Sequence, residues 1–213
     1  GRLTVSNSNI QVNRWEYKSG SSGWIDGGND GTTTINIYAE NVTVANLSSA
    51  GQVTLGAAGQ ALTNSTVAGV TLGTRTPPVN GNTFTGPHPM HLRADYYVYV
   101  RDHNTVTSPA GSTVHITGGP VNADLTWGGL AGVDKYRLEG AVTVDSGVTL
   151  TVASGVRVTQ ASECDVTVDG AVVLTSNAQW DADWHTADIT VNGSLTMQAG
   201  SRLQVAGGAA LTV

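Results

Sequence analysis

The sequence predicts an all-β protein built from short repeated strands, and three observations lead to this prediction. Short triads that begin with Val or Leu and have a central Thr recur every eight residues between Gly140 and Ser176. Glycine and asparagine, which tolerate the left-handed conformation of tight corners, separate the strand-like segments. No stretch keeps the 3.6-residue apolar period of an amphipathic helix. The triads occupy residues 142–144, 150–152, 158–160, 166–168 and 174–176, and they return at 195–197, 203–205 and 211–213.

Within each triad the two outer side chains are expected to face the core and the central one to face solvent. Side chains alternate along a strand, so residues i and i+2 share one face. The predicted inward residues are Val142, Val144, Leu150, Val152, Val166 and Val168. Cys164, the only cysteine, has the same parity as Val166, so we expect it to be a buried free thiol. Its alternative role is in an intermolecular disulfide.

The spacing is compatible with two architectures. Strands every 8–12 residues with turn signals are also typical of a sandwich, in which Asp145-Ser146-Gly147 would close a hairpin. The constant register over five triads favours a solenoid instead. Three octads make a coil of about 24 residues, within the range of repeat architectures.

The segment 125–152 resembles a known class of proteins. Leu125-Thr126-Trp127, followed by the segment 136–152 with its Gly-Ala-Val-Thr-Val and Gly-Val-Thr-Leu-Thr-Val runs, resembles the opening coils of bacterial secreted right-handed parallel β-helix proteins. The segment 79–86 is similar to their asparagine-turn coils. The resemblance implies a three-faced right-handed parallel β-helix. This fold serves surface adhesins, polysaccharide lyases and phage tailspikes alike, so it does not assign a function.

The elements before the octads follow a looser spacing. Residues 96–100, Tyr-Tyr-Val-Tyr-Val, are the most β-prone segment and predict a strand. The polar stretch that ends in Gly118-Gly119-Pro120 predicts a boundary between irregular coils over 1–119 and a regular octad solenoid over 120–213 that continues beyond the chain end. Further strands are predicted at 3–5, 10–12, 35–37, 42–44, 53–55, 70–72, 125–127 and 135–138.

Composition restricts the class of function. The net charge of −6 argues against nucleic acid as a partner, and no apolar run reaches the roughly 20 residues of a membrane helix. Charged residues make up only 12% of the chain, which favours a structural surface over an active site rich in acids. The strand-like segments at both termini suggest a piece of a longer protein. The resemblance to secreted β-helix proteins implies that this protein is extracellular or at the cell surface.

The best candidate for a ligand site is the segment that interrupts the octads. It contains Trp180, Asp181, Asp183, Trp184 and His185, and we expect an inserted loop here, since insertions in solenoids form loops on one face. Two carboxylates beside aromatic rings suit contact with sugars. Catalysis would need carboxylates placed across the scissile bond, which neighbours in sequence seldom achieve. The alternative is a loop whose tryptophans cover an apolar coil edge.

Other candidates have simpler interpretations. Asp26-Gly27-Gly28-Asn29-Asp30-Gly31 resembles the start of a calcium loop but lacks the downstream Glu, so a plain turn is favoured. A second candidate is a group of three histidines, which we interpret as surface residues: His88, His91 and His103. A third is a small set of basic and acidic residues of the kind that β-helix lyases use, which is too small to assign a catalytic role: Arg93, Arg101 and Asp102. We therefore expect no metal, no cofactor and no catalytic residue.

The sequence as a whole favours a non-enzymatic structural or adhesive β-solenoid, part of a cell-surface or filament-forming protein. Open strand edges after Arg202 carry no charge or proline, which predicts contacts with other copies or with the remainder of a parent chain. Saccharide is a further candidate partner. The rival function is a carbohydrate-active β-helix, a lyase, hydrolase or tailspike. That class predicts acidic or basic residues stacked on successive coils of one face.

Overall fold

The structure is a computed structural model that describes residues 4–5, 25–27, 34–37, 42–49, 51–57, 59–73, 79–100, 103–108, 111–182 and 186–213. Over these residues each strand pairs with the equivalent strand one coil further along the chain. Every described strand pair is parallel except β2 (Ile25–Gly27) with β3 (Thr34–Ile37). Parallel pairing excludes the sandwich, whose hairpins would pair strands antiparallel. The prediction of an all-β solenoid is confirmed.

The chain divides into two compact units. The first comprises Gly1–His91, Tyr99–Ser112 and Leu130–Gly132, and the second Leu92–Val98, Thr113–Gly129 and Val133–Val213. The predicted boundary between 119 and 120 stays a prediction. In chain order, the strands up to residue 106 are β1 (Thr4–Val5), β2, β3, β4 (Thr43–Ala45), β5 (Gln52–Leu55), β6 (Ala61–Thr63), β7 (Thr66–Val67), β8 (Gly69–Leu72), β9 (Val79–Asn80), β10 (Thr83–Phe84), β11 (Met90–Leu92) and β12 (Thr105–Val106).

Most coils of the first unit are shorter than the sequence predicts. Val53 pairs with Val70, and Val44 pairs with Leu62, so one turn of the chain takes clearly fewer residues than three octads. Buried side chains complete the corners that such short coils need. Asn82, only 1% exposed, accepts a hydrogen bond from the Ser65 amide (2.9 Å) and donates one to the Leu62 carbonyl (2.9 Å). Its side chain therefore satisfies backbone groups of the previous coil.

The second unit carries the regular octads. Its three sheets have the strand orders β13-β16-β19-β22-β25, β14-β17-β20-β23-β26 and β15-β18-β21-β24. The strands are β13 (Ser112–Ile116), β14 (Gly119–Val121), β15 (Leu125–Trp127), β16 (Val133–Leu138), β17 (Val142–Val144), β18 (Thr149–Val152), β19 (Arg157–Gln160), β20 (Val166–Val168), β21 (Ala171–Leu174), β22 (Gln179–Ala182), β23 (Ile189–Val191), β24 (Ser194–Met197), β25 (Arg202–Val205) and β26 (Leu211–Thr212).

The octads at 142–144, 150–152, 158–160 and 166–168 lie on successive faces, as predicted. The triad predicted at 174–176 is wrong, because strand β21 is Ala171–Leu174 and Leu174 occupies the register position of Val152, at the end of the strand. Val142 on β17 pairs with Val166 on β20, three octads further along, and Leu150 on β18 pairs with Val172 on β21, slightly less than three octads further along. All six outer triad residues named from the sequence are at most 2% exposed, and the central threonines of the same strands are partly exposed. The inward and outward assignment is confirmed. Cys164 is also buried, as a free thiol.

The predicted strand at 96–100 is wrong. Ala94–Tyr99 is a 3₁₀ helix, which begins where the Arg93 carbonyl accepts the Tyr96 amide at 3.0 Å. The packing of this helix explains why residues 96–100 do not form a strand despite their high β propensity. The turn directs Tyr97, 0% exposed, into the core of the second unit, where its ring meets Tyr136 edge-on at 5.5 Å. β propensity is a weak preference that such burial overrides.

Some predictions fall on residues that are not described. The strand candidate at 10–12 and the first residue of the candidate at 3–5 belong to this set, as do Arg101 and Asp102. Within the described part of the chain, no helix has the length and apolar character needed to cross a bilayer.

Candidate functional site: the outer face of the β16-β19-β22-β25 sheet

The outer surface of one sheet in the second unit collects basic side chains from successive coils. In-register pairing aligns Lys135 on β16 with Arg157 on β19, then Gln179 on β22 and Arg202 on β25. A second column, two residues further along each strand, aligns Arg137, Thr159, Asp181 and Gln204. We call these two columns the cationic face. Alternation explains the placement, because these residues point away from the core residues Tyr136, Val158 and Trp180.

Charge is segregated to this surface. Residues 120–213 contain four lysines and arginines, Lys135, Arg137, Arg157 and Arg202, and all four lie on the cationic face. The same stretch contains ten aspartates and glutamates, and among those that the structure describes only Asp134 and Asp181 lie on strands of this sheet. The face is therefore positive on a chain whose net charge is −6.

Asp181 occupies the centre of the face beneath the arginines. Its side chain is 3% exposed, and its Oδ2 accepts a hydrogen bond from Arg157 Nε at 2.7 Å. Its Oδ1 is 3.7 Å from Arg202 Nη2 and accepts no hydrogen bond from the described residues. The side chains of Arg157 and Arg202 remain 50% and 57% exposed. Asp181 thus holds two arginines over the sheet and leaves their guanidinium groups accessible to a ligand.

A second charged group lies at the side of the face. Glu139, just after β16, is 2.7 Å from His115 Nδ1 and 3.5 Å from Arg137 Nε. The Arg137 side chain is 44% exposed. Because Glu139 already pairs with Arg137, this arginine is partly neutralised, and the accessible positive charge lies along Lys135, Arg157 and Arg202.

The predicted site at 180–185 takes a different form from an inserted loop. Gln179–Ala182 is strand β22, so the loop prediction is wrong for Trp180 and Asp181. Trp180 is 2% exposed, donates its Nε1 hydrogen to Gln160 Oε1 (2.9 Å) and packs 5.9 Å from the Trp127 ring. Its ring therefore packs in the core and is not exposed for stacking on a sugar ring. Asp183, Trp184 and His185 lie outside the described residues, so their ligand contact stays a prediction.

The other candidates remain apart from the cationic face. Asp26 lies in strand β2, where a turn was predicted, and Asn29 to Gly31 lie outside the described residues. His91 lies on strand β11, while His88 and His103 are exposed. No group of three possible metal ligands occurs among the described residues. Burial raises the pKa of the Cys164 thiol, which suits a packing role.

The apolar interior offers no chemistry of its own. A cavity inside the second unit is lined by valine, leucine, isoleucine and tryptophan side chains, among them Val168, Leu174 and Trp180. Such a lining supplies neither an acid nor a base. The cationic face was missed because each candidate site was sought among residues close together in the sequence, whereas the residues of this face are a coil or more apart. The available signal was the recurrence of a basic residue one coil apart, at Lys135 and Arg157, and again two coils later at Arg202.

Comparison of the chain with family models, with curated proteins and with solved structures gives no match.

Proposed function

We propose that this chain is a non-enzymatic structural and adhesive β-solenoid, of the bacterial surface adhesin or stalk type, that works outside the cell as part of a larger surface or filament-forming protein. The observation that carries the proposal is the alignment of identical side chains on the outer faces. Thr143, Thr167, Thr190 and Thr212 form one such column across four coils. A regular, mostly neutral polar surface suits contact with an extended partner better than turnover of a small substrate.

Assembly through coil ends supports the structural part of the proposal. Met197 and Leu211 are 46% and 41% exposed, whereas their register partners one coil earlier, Leu174 and Ile189, are 0% and 4% exposed. Inward apolar side chains of β24 and β26 are therefore available for stacking on another coil. A head-to-tail contact between copies does not close, so it extends into filaments.

Sedimentation across a range of concentrations tests the assembly. We expect the protein to self-associate as its concentration rises. The double variant Met197→Asp, Leu211→Asp should remain monomeric, because stacking on another coil would bury the two introduced carboxylates away from water. The control is Thr196→Asp, on the same strand with its side chain outward, which should associate like the wild type. A monomer at every concentration would contradict assembly between copies.

The alternative is a carbohydrate-active solenoid, and the basic column on successive coils favours it. Asp181 would be its carboxylate, although this group is buried and ion-paired with Arg157. Incubation with acidic and neutral polysaccharides separates the two functions. We expect no unsaturated or reducing ends to be released. Turnover that disappears in Asp181→Asn or Asp183→Asn would establish the enzyme and overturn the adhesive proposal.

A further inference from the structure

We propose that the cationic face binds a linear acidic polysaccharide through Lys135, Arg157 and Arg202, with Asp181 as a positioning residue. The proposal rests on the adhesive function and names the class of ligand. The anionic groups are carboxylates or sulfates, which share the chemistry that an arginine or lysine recognises.

The spacing of the cations suits a polymer. Neighbouring parallel strands lie about 4.8 Å apart. Lys135 and Arg157 are on adjacent strands, and Arg202 is two strands further, about 10 Å away, with Gln179 between them. Three positive groups therefore follow one line perpendicular to the strands. A single small anion would contact one or two of them, whereas a chain with repeated charges along the column contacts all three.

The environment of the arginines keeps them available. Asp181 is 3% exposed, so a ligand approaches the guanidinium groups without meeting that carboxylate directly. One buried carboxylate beside two arginines leaves a net positive charge on the column. Because the Arg157 Nε–Oδ2 hydrogen bond fixes the side chain before binding, less rotamer freedom is lost when a ligand anion engages the free nitrogens.

Neutral groups between the cations distinguish a glycan from nucleic acid. Gln179, Thr159 and Gln204 lie among the basic residues and offer donors and acceptors for sugar hydroxyls. Duplex DNA carries one charge per about 1.7 Å and binds to dense basic surfaces, which the four cations of this face, on a chain of net charge −6, do not supply. Nor does either column of the cationic face present an aromatic platform for unstacked bases. The face therefore matches a polymer with sparser charge and many hydroxyls.

Three probes with a common backbone test the ligand class: dextran, carboxymethyl-dextran and dextran sulfate, with duplex DNA as a fourth. Binding to each immobilised polymer is measured at low and at high salt. We expect binding to one or both anionic dextrans, weakened by salt, and none to dextran. Arg157→Gln, Lys135→Gln and Arg202→Gln should each lower the affinity by about tenfold, the loss expected for one charge-assisted hydrogen bond.

A relocated charge provides the matched control. Lys135→Gln combined with Thr151→Lys keeps the net charge but moves the cation to β18, which belongs to a different sheet. We expect this variant to bind as weakly as Lys135→Gln alone, while circular dichroism shows that it is folded. Recovery of wild-type affinity would overturn the proposal, because net charge and not the column would then determine binding.

A positioning role for Asp181 predicts a distinct readout. Asp181→Asn keeps the shape but removes the anchor of Arg157, so the affinity should fall even though the face becomes more positive. Affinity that rises with the added positive charge would contradict this role.

The remaining outcomes separate the two proposals. Equal binding of plain dextran that Arg157→Gln leaves unchanged would overturn the acidic ligand and leave an adhesive function standing. Tighter binding of DNA than of either anionic dextran would overturn the glycan class. Absence of binding to all four polymers would overturn the cationic face as a ligand site, and the structural function would then depend on the sedimentation result alone.

Discussion

At the scale of single residues, two buried tyrosines join the 3₁₀ helix to strand β16. The Tyr97 and Tyr136 hydroxyls are 2.5 Å apart, and the Tyr97 hydroxyl also reaches the Gly128 carbonyl at 3.3 Å. Trp127 stacks on Tyr136 with ring centroids 5.9 Å apart. Burial, reinforced by the neighbouring Tyr97 hydroxyl, holds the pKa of Tyr136 well above its usual range. Tyr136 therefore stays protonated in the folded protein.

This pKa shift predicts an alkaline limit to stability. The unfolded chain loses the Tyr136 proton at about pH 10 and the folded chain only at higher pH, so the contribution is complete below pH 10 and declines above it. We expect the melting temperature to fall more steeply above about pH 10 in the wild type than in Tyr136→Phe, in which this group does not titrate. Thermal denaturation across alkaline pH checks this. Identical slopes for the two proteins would show that Tyr136 does not set the limit.

At the scale of the element, adjacent residues of a strand triad face opposite sides of the sheet, one buried in the core and the next directed outward. Val152 is 0% exposed and stacks between Trp127 and Leu174 in register, whereas Thr151 on the same strand faces outward. Substitution of the two neighbours by the same residue therefore tests the assignment directly.

Val152→Asp should abolish cooperative folding, because an unpaired carboxylate between coils costs more than about 4 kcal/mol. Thr151→Asp should change the free energy of unfolding by less than about 1 kcal/mol, because its side chain remains hydrated. Urea denaturation of both variants provides the measurement. Comparable damage from the two substitutions would refute the inward and outward pattern.

The sequence predicts those features of the fold that depend on residues close together in the chain, and it fails for features that depend on residues far apart. The octads were predictable because inward valines and outward threonines alternate in the sequence itself. Trp180 was placed in a loop because its flanks, Gln179 and Asp181, lack the apolar–Thr–apolar form, although the coil period places it between Val158 and Leu203. The strand at 96–100 was wrong because the burial of Tyr97 depends on Tyr136, 39 residues away. A short stretch of sequence does not reveal contacts of this kind between residues on different coils.

At the scale of the whole molecule, register is shared by all coils of a unit. A residue added inside a strand inverts every side chain beyond it, whereas a residue added at a corner does not. Gly147 occupies such a corner, with a φ of 77° and open space where a side chain would project. Tolerance to insertion should therefore vary sharply along a single octad.

We expect a glycine inserted between Thr143 and Val144 to remove cooperative unfolding, because Val144 would move from the core to the surface. A Gly-Ser dipeptide inserted after Ser146 should shift the melting temperature by only a few degrees, as surface loops lengthen at small cost. Thermal circular dichroism of both insertions compares them. An equal loss of stability would indicate that the corners, like the strands, constrain the coil.

The parallel register also determines how the second unit would respond to mechanical load. Strands β24, β25 and β26 each hydrogen-bond to one earlier strand, β21, β22 and β23 respectively. Tension that pulls β26 away from its sheet would load its bonds to β23 first, then those of β25 to β22 and of β24 to β21. The unit would lengthen by peeling one strand after another at modest force, and would not rupture as a block. A unit with this behaviour would yield under load and recoil when the load is released.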